Sequence, residues 1–202
     1  MKTWTQALQA ALISGAVASL TSTLVLSLRG KRENGTPYGA NNAISHWVWG
    51  DEAAQHDEFS LKHTVVGYTI HHASSTFWAT FYEKYFSRRQ EKQVGPALLG
   101  GSTVAAAACF VDYQLTPHRL QPGYEMRLSK RSLFLVYAAF GLGLAACDLL
   151  ATRRRTTALP APLQRRAIAQ TVEHEQAILA NATHPQHSNL GSDGAMHADI
   201  PT

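Results

Sequence analysis

The chain has 202 residues, 45% hydrophobic and 16% charged, with a formal net charge of +4 and a mean hydropathy of -0.16. Those averages would suit a soluble domain, but the charges are unevenly placed: Thr3 to Leu28 carries none in 26 residues, His63 to Tyr82 none in 20, Gln93 to Val111 none in 19, and Ser132 to Thr152 only Asp148 in 21. At about 1.5 Å per helical residue each run can just cross a hydrocarbon core about 30 Å thick, which excludes an average soluble enzyme, a nucleic-acid binder built on a basic face, and a disulfide-stapled secreted domain.

The first run predicts a membrane helix over about residues 5–28, with Ala11, Gly15, Ser19 and Thr23 four apart as a small-residue stripe for close helix contact. Lys2, the apolar run and Ala16-Val17-Ala18 imitate a cleaved signal peptide, but the run continues to Leu28 and ends in Arg29-Gly30-Lys31-Arg32, as a retained anchor does. In the loop from Arg29 to Lys62, Asn41 or Asn42 is expected to cap a short helix through Trp49. Two tryptophans beside His46 suit a segment lying in the membrane interface.

The second span, 63–82, has a wet face of Thr64, Tyr68, His71, His72, Ser75 and Thr76, ending in the aromatic residues Phe77, Trp78, Phe81 and Tyr82. A short loop from Glu83 to Lys92 is expected to fold it into an antiparallel hairpin with the third span, 93–112. That span is nearly all small: Gly95, Ala97, Gly100, Gly101, Ser102 and Ala105 to Ala108, with Cys109 leading to Asp112. In the next loop Pro122-Gly123 reads as a type II turn. The fourth span, 132–152, repeats the small stripe with Ala138, Gly141 and Ala145. Residues 156–202 are polar and expected to be mostly disordered, with a modest helical stretch from Leu163 to Leu179. Basic groups at the span ends favour both termini in the cytoplasm.

Among residues that could carry chemistry, His71 and His72 lie near the middle of the second span, where an ionisable side chain marks either a functional site or a neutral ring bonded to a neighbouring helix. Aligning His63 with Val111 puts His71 level with Thr103 and His72 level with Ser102, a candidate polar layer to which the first helix adds Ser19. Lys62 and His63 reach the depth of Asp112, and Asp148 lies within about one turn of Arg153, so two candidate end charge pairs follow. The histidines show neither the spacing of di-iron membrane hydroxylases nor H-E-x-x-H. No catalytic, cofactor or metal residue is assigned.

The strings NAISHWVWGDEAA, HTVVGYTIHHASSTFWATFYE and VDYQLTPHRLQPGYEMRLS resemble those of small uncharacterised inner-membrane proteins of proteobacteria that share four predicted helices. The resemblance covers about Asn41 to Ala151 and implies a bacterial inner-membrane location but no activity. The expectation is an all-α polytopic membrane protein: a four-helix transmembrane bundle over 1–155 and a cytoplasmic tail. Its surroundings are the lipid bilayer, with a homo-oligomer or a membrane protein as partner and no nucleic acid. Two functions stay open, a structural or accessory protein with a packed interior, or a small proton- or solute-linked transporter using the polar face of the second helix.

Overall fold

The computed structural model describes residues 2–87, 94–157, 169–176 and 178–179, with 151–157 as backbone alone. All regular structure among the described residues is helical. The chain divides into two units, Met1–Thr157 and Ala158–Thr202. In the second, residues 169–176 and 178–179 are helical and exposed; the rest of the expected disordered tail lies outside the described residues.

The first unit is built on four long helices: α1 (Trp4–Asn34), α4 (Val66–Tyr85), α5 (Val94–Phe110) and α6 (Lys130–Thr157). Between α1 and α4 lie two short helices, α2 (Gly39–Ile44) and α3 (His46–Trp49). A capping box starts α1, with the Thr3 side chain accepting from the Gln6 backbone and Gln6 returning to Thr3. Gly35, in the left-handed region at φ 78°, ends it. Single wide π-turns extend α4 backward over Leu61–Val65 and α5 forward over Val111–Leu115.

Three helices are long and apolar enough to cross a membrane: Trp4–Asn34, Val94–Leu115 and Lys130–Leu150. The polar face of α4 keeps its hydropathy below theirs. Burial is inverted relative to a soluble domain. Ser14, Ser19 and Ser22 are 0% exposed, whereas Leu12, Leu20 and Phe134 are 58%, 59% and 73% exposed. Small residues inside and large aliphatic residues outside are what lipid surroundings select, because close backbone approach, not water exclusion, holds helices together there.

Those approaches are specific. A Cβ on Gly101 of α5 would lie 2.3 Å from the Gly141 carbonyl oxygen of α6, and one on Gly143 would lie 2.6 Å from Ala18 Cα of α1. On the other side of α1, a Cβ on Gly15 would lie 2.7 Å from Thr76 Cα of α4. The neighbour order is therefore α4, α1, α6, α5. The expected hairpin of the second and third spans is corrected: α4 packs on α1, and α5 on α6. The two meet where Phe86 fills the space beside Gly100, and a cavity separates them beyond.

The loop after α1 caps one end of the unit. Asn41 and Asn42 do not cap a helix. Buried, they donate to the carbonyls of Thr64 (2.8 Å) and of His56 and Glu58 (2.8 and 2.9 Å), tying α2 to the start of α4. His46 Nε2 and Trp47 Nε1 both donate to the Gln121 carbonyl, at 2.8 and 2.7 Å, which latches this loop to the one before α6. That second loop turns at Gly123, φ 90°, as a type II turn requires, and a Cβ there would also strike the Ala43 carbonyl oxygen.

Candidate functional site

Both midplane histidines turn toward α1. Ser22 Oγ lies 2.7 Å from the Ala18 carbonyl and 2.8 Å from His71 Nε2, and so bridges the two helices. In the same way Ser19 Oγ lies 3.0 Å from the Ala16 carbonyl and 2.9 Å from His72 Nδ1. These contacts correct the expected polar layer. Ser102 and Thr103 are exposed, and the Thr103 hydroxyl returns to its own helix at the Leu99 carbonyl, 2.8 Å. A match in depth along the axis brings residues together only on adjacent helices, and α4 lies beside α1. Ser19, named at that depth, is one of the partners found; Ser22, one turn on, is the other.

The two rings differ in what lies beyond them. His72 stands over an outer groove with Trp4, Leu8, Leu12, Phe77 and Phe81. His71 lines a cavity of about 430 Å³ between α4, α5 and α6, roofed by Ile44, Trp47, Leu120 and Pro122 of the capping loops. Its wall is mainly apolar and aromatic, with Trp78 from α4, Ala108 from α5, and Val136, Tyr137 and Phe140 from α6. Polar groups converge on it from four directions: His71, Ser74 and Ser75 of α4, Ser22 of α1, Asp112 after α5, and Tyr124 of the loop.

Asp112 does not pair with Lys62 or His63, a second correction. The Tyr137 hydroxyl donates to Asp112 Oδ2 at 2.6 Å. The Lys62 ammonium lies 4.8 Å from the centre of the Trp49 ring, and His63 stacks on His56 at 4.0 Å with its Nδ1 3.2 Å from Ser45 Oγ. The cause is again helix order, since α5 carries Asp112 to α6. The tyrosine rings continue the cluster: Tyr124 stands 6.4 Å from both the Tyr137 and the His71 rings, edge-on to the latter. Ser22, Tyr124 and Tyr137 are not among the expected site residues. A tyrosine five residues past the start of the fourth apolar run was the available signal.

At the other end, Asp148 is buried and accepts from the Tyr82 hydroxyl (3.1 Å) and Ser87 Oγ (3.0 Å), joining α6 to the end of α4. The expected Asp148–Arg153 pair falls outside the described residues, because the Arg153 side chain is not described. Glu83, assigned to a loop, is buried at this end and ion-paired with Lys2. Just past the apolar run of α1, Glu33 accepts from the hydroxyls of Ser132 and Ser129 and the Ser129 backbone, and from Arg29. The Ser132 hydroxyl first, then the Ser129 backbone, hold this carboxyl down from 4.5 to about 2. Among the described residues no group of three His, Cys, Asp or Glu side chains could hold a metal ion. Cys109 is a free thiol.

No family model, curated protein or solved structure matches the chain.

Proposed function

We propose that the chain is a multi-pass protein of the bacterial inner membrane, a four-helix bundle with both termini cytoplasmic, that takes a small amphiphilic molecule into the cavity beside His71 as the binding step of transport. The observation that carries this is the cavity itself. It sits on the polar face of the second long helix, is mainly apolar and aromatic in lining, and gathers a few polar groups at one place, as small-molecule sites do. The cavity is half open to the surroundings of the bundle, so a molecule can reach it without parting the helices. The polarity of α4 favours its crossing as an inner helix, its histidines turned to serines and its cavity face covered by the other helices.

The structural or accessory role rests on the seams rather than the cavity: backbones touch at Gly15, Gly101 and Gly143, and both imidazoles find serines. Thermal unfolding in lipid nanodiscs with a neutral amphiphile, triphenylphosphine oxide, separates the two. Binding raises the melting temperature with ligand concentration. It should do so for the wild type and not for Ser74→Phe, which fills the cavity; equal circular dichroism of the two proteins controls for folding. No rise in the wild type would leave the accessory role as the better account.

A further inference from the structure

The charge of the cavity wall narrows what it holds. Among the described residues Asp112 is the one acidic residue of that wall, and no lysine or arginine contributes to it. The carboxylate has a single hydrogen-bond donor, Tyr137. No ion pair joins it to a cation among the described residues. Arg127, in the loop above, is spent on Asp57 and on the Ala54 carbonyl. His71 is bonded to the Ser22 hydroxyl, and among the described residues no carboxylate lies within bonding distance of it. A half-buried carboxylate without a counter-ion, in surroundings of low polarity, is costly unless a proton or a cation joins it. Trp47, Phe77, Trp78, Tyr124, Tyr137 and Phe140 line the same space, and aromatic faces attract cations while they bury apolar substituents.

Resting on the binding role proposed above, we propose that the cavity takes a monovalent organic cation with bulky apolar substituents, its charge against Asp112 and its substituents among these rings. Cation attraction to the faces and charge pairing with the carboxylate then act at one place, which neither a neutral nor an anionic molecule of the same shape can match. Tyr137 would hold Asp112 in position by its hydrogen bond.

The test uses the full chain in nanodiscs of zwitterionic lipid, with empty nanodiscs as blank, and three probes of related shape: tetraphenylphosphonium, tetraphenylborate and neutral triphenylphosphine oxide. Binding is read from tryptophan fluorescence and from the melting temperature. The expected result is tetraphenylphosphonium bound at least about tenfold more tightly than the neutral probe and tetraphenylborate more weakly than either, since one well-placed ionic or cation–π contact is worth about that factor. Asp112→Asn should reduce the advantage of the cation over the neutral probe severalfold, leaving only what the aromatic faces supply, while the neutral probe still binds. Equal binding of cation and neutral probe by the wild type overturns the cation assignment but leaves the binding role standing. A cation preference that Asp112→Asn leaves undiminished overturns the role of Asp112. Failure of all three probes to bind overturns the binding role and this inference with it. The wild-type comparison among probes decides even if Asp112→Asn does not fold.

Discussion

Gly101→Ala tests the seam between α5 and α6. The added Cβ would stand 2.3 Å from the Gly141 carbonyl oxygen and 3.2 Å from its carbon, and 3.5 Å from the Ala145 Cβ. The nearest obstacles are backbone, so no side-chain rotation relieves them and the helices must move apart. Forcing one methyl into a close-packed contact costs about 1–3 kcal/mol, and a backbone partner puts this case at the upper end. Alanine also gains up to about 1 kcal/mol over glycine in a helix, which would mask part of the loss. Gly95→Ala supplies the correction: it lies on the same helix, and its Cβ would meet nothing within 4 Å. The difference between the two variants isolates the overpacking, and Gly101→Ala should be less stable than Gly95→Ala by about 2–3 kcal/mol. Reversible unfolding in mixed micelles, followed by circular dichroism, measures it. Equal stability of the two variants would refute the Gly101–Gly141 contact and the neighbour order built on it.

Two further outcomes follow from the polar contacts. A double-mutant cycle between Ser22→Ala and His71→Gln should return a coupling of about 0.6 kcal/mol, and at most about 1.7, the range for interhelical hydrogen bonds in membranes. Thr103→Ala should change stability by less than about 0.5 kcal/mol, and a larger loss there than at Ser22 would restore the α4–α5 register that the sequence predicts. Because Glu33 is held at about 2 rather than 4.5, its contribution to stability is present above pH 4.5 and fades as pH falls toward 2. The stability gap between wild type and Glu33→Gln should therefore narrow over that window in acid titration. A gap that widens there would mean that Glu33 is not held by Ser132 and Ser129.

Much of the fold is legible in the charge map. Runs without charge locate four helices to within a few residues of their observed ends, because each run stops where Arg29, Glu83, Asp112 or Arg153 enters. Small-residue stripes also identify real seams: Gly15, Gly101 and Gly141 all stand where backbones touch. Which helix faces which is not legible. Glycines and alanines are nearly interchangeable along a stripe, so the sequence of α5 fits α4 as well as α6, and the short connection made the wrong choice look forced. The site suffers from the same gap. His71 and Asp112 stand out as polar residues in apolar runs, but their partners Ser22 and Tyr137 lie more than 20 residues away on helices whose adjacency only the folded chain reveals.

Everything proposed for the cavity requires that α4, the least apolar of the four long helices, crosses the bilayer. Alkaline phosphatase, active only outside the cytoplasm, can be fused after Trp49, after Gln90 and after Gln121, on either side of α4 and beyond α5. The account predicts activity after Trp49 and Gln121 and none after Gln90. Activity after both Trp49 and Gln90 would mean that α4 stays on one side of the membrane, and would contradict it.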